Sequence, residues 1–68
     1  MDINIRNSVK SNLKDSSTTD IYKTIEDAIN VGEEKVLPGL GVLFEALWHQ
    51  SDDAFKNNIV SKVTDYFK

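Results

Sequence analysis

The segment "GEEKVLPGLGVLFEALW", residues 32–48, constrains the fold of this chain more than any other. It contains the only proline, all three glycines and the longest apolar run, Val36 to Trp48. Gly32 suits the position just past a helix, because glycine readily adopts the left-handed conformation found there. Pro38 suits the first position of a helix and disfavours helical geometry at Leu37, the residue before it. We therefore predict that one helix ends before Gly32 and that another begins at Pro38.

Apolar residues recur with helical spacing along almost the whole chain, and no stretch shows sustained alternation. The spacing predicts an all-α fold: a small four-helix domain with helices over about 2–14, 19–31, 38–49 and 52–67, and a single domain over 1–68. In the third helix an apolar arc of roughly 140° is expected to fill one central core. This arc contains Leu40, Leu43, Phe44, Leu47 and Trp48. Val42, Glu45 and His49 are expected on its outward side.

Short polar side chains indicate where the helices start. Asp2 is the predicted N-cap of the first helix, and Ser51 or Asp52 that of the last, since their side chains can accept from first-turn amides. For the second helix we prefer Thr19 as the N-cap, because Asp20 then lies in the first turn, where the helix dipole favours a carboxylate.

A glycine inside the third helix requires a reason. Glycine there costs roughly 1 kcal/mol relative to alanine, so Gly41 is predicted to allow another segment to approach closely. On this basis Gly41→Leu is expected to lower the thermal midpoint more than Ser17→Leu.

Charge and composition exclude several classes of protein. Eight Lys and Arg face eleven Asp and Glu, giving a net charge of −3. Proteins that coat nucleic acid carry excess positive charge, so DNA binding is disfavoured. No cysteine is present, which excludes disulfides and cysteine-bound metals. The polar start and the short apolar runs predict a soluble intracellular protein with no secretion signal and no membrane span.

No group of residues predicts catalysis. His49 is the only histidine, and a predicted helix break separates it from Asp52 and Asp53. Neighbouring carboxylates occur three times, but adjacent helical residues point about 100° apart and do not converge by themselves. The segment "PGLG" lacks the glycine spacing and the lysine of a phosphate-binding loop. We therefore predict no catalytic residue, no cofactor and no metal.

The start of the third helix is the one candidate contact site. It has no capping side chain, and free amides at a helix start attract anions. The backbone at Gly39, Leu40 and Gly41 is therefore a candidate contact for an anion or for a partner. The alternative is that Glu33, Glu34 or water satisfies these amides. An unidentified protein partner and a homodimer both remain open.

The central segment, together with "MDINIRNSV" at the start and "TIEDAI" at 24–29, resembles the small acid-soluble spore protein I family of spore-forming Firmicutes. The resemblance extends over most of the chain. It implies a minor protein made in the forespore cytoplasm and held in the spore core, with no catalytic residues to transfer. The family is distinct from the major α/β-type spore proteins, which coat DNA.

Three functions follow as hypotheses. The first is a non-enzymatic spore-core protein with a structural or interaction role, which the resemblance implies. The second is a small helical module that binds nucleic acid. The third is a regulatory adaptor that recognises a protein or an anionic ligand.

Overall fold

The computed structural model describes residues 4–68 of the 68-residue chain. Its elements, in chain order, are α1 (Ile5–Leu13), α2 (Thr18–Val31), a 3-10 turn (Glu34–Val36), α3 (Leu37–Gln50) and α4 (Asp53–Tyr66). Within residues 4–68 there is no strand. The predicted all-α fold of four helices is confirmed.

The first helix starts later than its apolar spacing indicates. The Asn4 side chain accepts a hydrogen bond from the Asn7 N–H at 3.0 Å, and Asn4 itself has non-helical dihedral angles. This N-cap fixes the start of α1 at Ile5 instead of near residue 2. The predicted cap, Asp2, lies outside the described residues.

The second helix starts earlier than predicted. Ser17 Oγ accepts from the Asp20 N–H at 3.1 Å, while Asp20 Oδ2 accepts from the Ser17 N–H at 3.5 Å. This reciprocal capping box satisfies two amides at once, whereas Thr19 as N-cap would have satisfied one. The preference for Thr19 was therefore wrong, and Thr19 lies in the first turn.

Two other helix boundaries confirm the sequence predictions. Gly32 ends α2 with φ 68° and ψ 18°, the left-handed geometry expected of a glycine at that position. Asp52 caps α4, and its Oδ1 accepts from the Phe55 N–H at 2.8 Å. Ser51, the other candidate, instead donates its hydroxyl to the Leu47 carbonyl at 2.6 Å.

The junction before α3 differs from the prediction. Leu37 has φ −60° and ψ −41°, which is helical geometry, so Pro38 does not hold it outside the helix. The preceding 3-10 turn supplies a carbonyl, that of Glu34, to the Leu37 N–H. Because this bond holds Leu37 in helical geometry, α3 begins at Leu37 and Pro38 occupies its second position, where it removes no helical bond.

The helices pack loosely. α1 lies against α3, as does the 3-10 turn, whereas α2 and α4 contact the rest at few points. None of residues 4–68 is buried, and the best covered apolar side chains are half-buried. These include Val9, Leu13, Ile21, Ile25, Val36, Leu40, Val42 and Leu43. The expectation of one central core is therefore wrong for a single copy of the chain.

The accessible surface and the radius of gyration both show that the chain is less compact than most domains of its size. The accessible surface is 5994 Å², against about 4,300 Å² for a compact monomer of this mass. The radius of gyration is 13.3 Å, against about 11 Å for a compact domain of this length. The chain therefore exposes more surface than a single folded domain of its size normally does.

Candidate functional site

One side of α3 is covered by α1. Arg6 Nε donates to Glu45 Oε1 at 2.7 Å, and Arg6 Nη2 donates to Glu45 Oε2 at 2.8 Å. Val42 and His49 line the same interhelical groove as this ion pair. The prediction that Val42 and Glu45 point outward is therefore wrong, whereas His49 is exposed, as predicted. A bidentate arginine–carboxylate pair fixes orientation as well as distance, so it sets how α1 lies on α3.

This ion pair changes the proton affinity of both partners. The hydrogen bonds from Arg6 hold the pKa of the Glu45 carboxyl below its usual value, and partial desolvation opposes that effect. The nearby charges of Arg6 and His49 lower the same pKa further. In turn, the hydrogen bonds to Glu45 raise the pKa of Arg6. Glu45 therefore keeps its charge, and its bond to α1, to a lower pH than an isolated glutamate would.

The opposite side of α3 is apolar and uncovered. Phe44 is 46% exposed and Leu47 is 43% exposed, although both were predicted to fill the core. The Phe44 ring lies 6.0 Å from the Trp48 ring, and Lys56 Nζ lies 5.3 Å from the centre of Trp48. Phe55, at the start of α4, is 49% exposed and lines one cavity with Leu47. We name Phe44, Leu47, Trp48 and Phe55 the α3–α4 face.

The candidate contact at Gly39, Leu40 and Gly41 is divided between two sides of α3. Gly39 and Leu40 line a groove of about 270 Å³ between α1 and α2. Gly41 lies in a separate cleft that also contains Arg6 and Glu45. Val36 provides no side-chain cap, as the sequence predicted, and the Glu33 carboxylate pairs with Lys35 Nζ at 3.1 Å. Contact of these three residues with an anion or a partner stays a prediction.

Gly41 has no close neighbour within the described chain. A Cβ atom built on Gly39 or Gly41 meets nothing within 4 Å beyond the helix's own backbone. The prediction that another segment of this chain approaches Gly41 closely is therefore wrong. Ser17, chosen as the neutral comparison, belongs to the capping box of α2. We therefore expect Ser17→Leu to lower the thermal midpoint more than Gly41→Leu does.

The described residues form neither a metal-binding cluster nor a membrane-spanning helix. Across residues 4–68, no three His, Asp or Glu side chains gather closely enough to hold a metal ion. In the same range no helix has both the length and the apolar character needed to cross a bilayer. Sequence reasoning missed two features of the structure, which are the Arg6–Glu45 ion pair and the exposure of the α3–α4 face.

The family resemblance is confirmed by comparison with known proteins. The family model described as "Small, acid-soluble spore protein I" matches residues 3–66. The chain belongs to the small acid-soluble spore protein I family. A relative of that name from Bacillus velezensis is 50% identical over 60 residues, covering 88% of this chain and 84% of its own length. The family member from Bacillus subtilis is 45% identical over the same coverage.

Other family members align from end to end. The protein of the same name from Geobacillus kaustophilus is 41% identical over 68 residues, which is 100% of this chain and 99% of that protein. No solved structure matches the chain. Membership in the small acid-soluble spore protein I family therefore rests on sequence similarity along the whole chain.

Proposed function

We propose that this chain is a non-enzymatic protein of the spore core that acts through contacts with other protein molecules. The observation that carries the proposal is its membership in a family whose relatives are named small, acid-soluble spore protein I. Those relatives share 41–50% of their residues with this chain over most of its length.

The charge of the chain supports recovery in acid. At neutral pH the net charge is −3, and the isoelectric point is near 4.9. In strong acid the carboxylates are protonated, whereas the eight Lys and Arg side chains keep their positive charge. A high positive charge keeps the molecules apart in solution. Solubility is therefore expected to be lowest near pH 5 and to rise again in dilute acid.

The exposed apolar side chains support an interaction role. The α3–α4 face carries two aromatic residues and a leucine that are each more than 40% exposed. Aromatic and aliphatic side chains of this kind form the buried centres of protein interfaces, where they contribute most of the binding energy. A purely inert, space-filling protein has no need of such a surface.

The location can be tested in the spore-forming host. A short epitope tag is added to the chromosomal copy, and the protein is quantified in growing cells, in sporangia and in spores stripped of their coats. We expect the protein in acid extracts of stripped spores and not in growing cells. A protein tagged in the same way but made during growth serves as the control for carry-over.

Equal amounts in growing cells, or complete removal with the coat, would contradict the spore-core assignment. The purified protein also separates this proposal from the nucleic-acid alternative. If it shifts duplex DNA in a gel at low salt and loses that shift as salt rises, phosphate binding is supported instead.

A further inference from the structure

We propose that the α3–α4 face is the contact surface of a homodimer in which the α4 helices of two copies pair antiparallel across a two-fold axis. This proposal goes beyond the proposed function and does not depend on where the protein is located. It rests on three properties of the described chain: excess exposed surface, the distribution of charge and the placement of apolar side chains along α4.

The exposed surface matches what a dimer removes. One copy exposes 5994 Å², about 1,700 Å² more than a compact monomer of the same mass. A stable protein interface of standard size buries about 800 Å² on each partner. Pairing through one such interface removes about half of the excess. Chains of this length often need a disulfide, a metal or a second subunit for stability, and this chain has no cysteine.

The charges of the chain leave the α3–α4 side available to a second copy. Residues 15–34 contain six Asp and Glu but only one Lys, whereas residues 52–68 contain three acidic residues and three lysines. Two copies that met through α2 would bring like charges together. Two copies that meet through α4 bring together segments whose side chains sum to no net charge. The distribution therefore favours α4 over α2 as the contact between identical chains.

The order of charges within α4 selects the antiparallel arrangement. The start of α4 carries Asp52, Asp53 and Lys56, which sum to −1, whereas its end and the residues just past it carry Lys62, Asp65 and Lys68, which sum to +1. In a two-fold dimer each surface meets its own copy, so an antiparallel pair places the acidic start of one helix beside the basic end of the other. A parallel pair would place like charges side by side.

The apolar residues of α4 fit the same geometry. Phe55, Val63 and Tyr66 lie on one side of the helix at helical spacing, and Val63 and Tyr66 are 45% and 82% exposed. Antiparallel pairing brings the Val63 and Tyr66 end of one copy to the Phe55 end of the other. Leu47 lines the cavity beside Phe55, so side chains of the second copy would pack against Leu47 when they enter that cavity.

Sedimentation velocity on the purified full-length chain tests the proposal. We expect a species of twice the 7.7 kDa chain mass that dissociates on dilution. Leu47→Glu and Phe55→Glu, each made alone, are expected to shift the mass to that of one copy. Ile29→Glu is the matched control: it adds the same charge at an apolar α2 residue that is 59% exposed, and it should leave the dimer intact.

Two further measurements separate loss of contact from loss of folding. Circular dichroism of each variant reports whether the helices remain. Emission of Trp48, the only tryptophan, is expected to shift to shorter wavelength as the wild-type concentration rises, and not in Leu47→Glu. The shift follows because a second copy removes water from the side of the indole beside Phe44.

The antiparallel geometry has its own test. Lys62→Glu is expected to raise the dissociation constant about fivefold, because it changes the net charge at the end of α4 from +1 to −1, and that end meets the acidic start of the second copy. The double variant Asp53→Lys with Lys62→Glu is expected to restore the original value. Circular dichroism again checks α4, since Asp53 lies in its first turn.

Three results would overturn the proposal. One is a mass of a single copy at all concentrations up to about 1 mM, well above the range of ordinary specific association. A second is a dimer that survives both Leu47→Glu and Phe55→Glu in folded variants. A third is a purified monomer whose α3–α4 face binds a different protein from spore extract, which would assign the face to that partner.

Discussion

The two sides of α3 differ in a way that their composition does not suggest. The side with Val42 and Glu45 is covered by α1, whereas the more apolar side with Phe44 and Leu47 faces water. On the covered side a charge pair selects the contact and the apolar residues complete it. On the uncovered side apolar residues are present without a neighbour from the same copy. In a chain of 68 residues, the most apolar face is thus not necessarily the intramolecular one.

The largest expected difference between the two sides comes from one substitution made on each. Leu43 lines both grooves that α3 forms with α1 and α2, whereas Leu47 is 43% exposed. Leu43→Ala is expected to lower the free energy of unfolding by about 1–2 kcal/mol, less than the loss typical of a fully buried leucine, because the site is only half-buried. Leu47→Ala is expected to cost less than about 0.5 kcal/mol in the monomer. Urea titration followed by circular dichroism in dilute solution measures both.

Dilution is essential to this comparison, because a dimer would cover Leu47 as well. At high protein concentration the cost of Leu47→Ala is expected to rise, while that of Leu43→Ala stays constant. Equal losses in dilute solution would show that both sides of α3 are covered within one copy.

The second prediction reverses the order of stabilities that the glycine inside the third helix suggested for Gly41→Leu and Ser17→Leu. Ser17→Leu removes the capping box of α2 and is expected to lower the free energy of unfolding by about 1 kcal/mol. Gly41→Leu places a better helix former where a new Cβ meets no atom within 4 Å, so it is expected to lower stability less than Ser17→Leu does. Thermal unfolding of the two variants and the wild type, followed by circular dichroism, measures the difference. A larger loss for Gly41→Leu would restore close approach as the reason for the glycine.

The smallest expected effect concerns pH and the covered side. Arg6 holds the pKa of Glu45 below the ordinary value of 4.5, so the unfolded chain takes up this proton at higher pH than the folded chain does. The contribution of the pair is therefore complete above pH 4.5 and is lost as the pH falls through the lower folded pKa. The pair is solvent-exposed, so its effect on stability should be slight and should weaken in salt.

Glu45→Gln isolates this effect from the other carboxylates. The difference in free energy of unfolding between wild type and Glu45→Gln is expected to shrink as the pH is lowered from 6 to 3. A difference that is constant with pH would mean that the charge of Glu45 does not hold α1 to α3. The substitution preserves the shape of the side chain, so the packing around it is little changed.

Local features of the chain could be predicted from its residues, because they depend on neighbours in sequence. Gly32 ends α2 and Asp52 caps α4, as short-range geometry requires. Even the error at Thr19 was local: Ser17 and Asp20 are three residues apart, and that spacing allows a capping box which the simple N-cap preference did not consider.

Long-range features could not be predicted in the same way. Arg6 and Glu45 are 39 residues apart, and no periodicity indicates that they meet. The apolar arc of α3 was assigned to a core because apolar side chains are usually buried, but burial requires a partner surface that a single copy does not provide for Phe44. The contact proposed for Gly39, Leu40 and Gly41 stays a prediction, since it concerns a ligand or a second molecule.

The caps described at Asn4, Ser17, Gly32 and Asp52 have a consequence for how fast the chain folds. Each joins residues three or four positions apart, and the packed contacts between distant segments are few. Chains in which local contacts dominate fold within microseconds to milliseconds. The helices should therefore form within milliseconds of dilution from denaturant. Any slower phase in Trp48 emission whose rate depends on protein concentration would report the association of two copies.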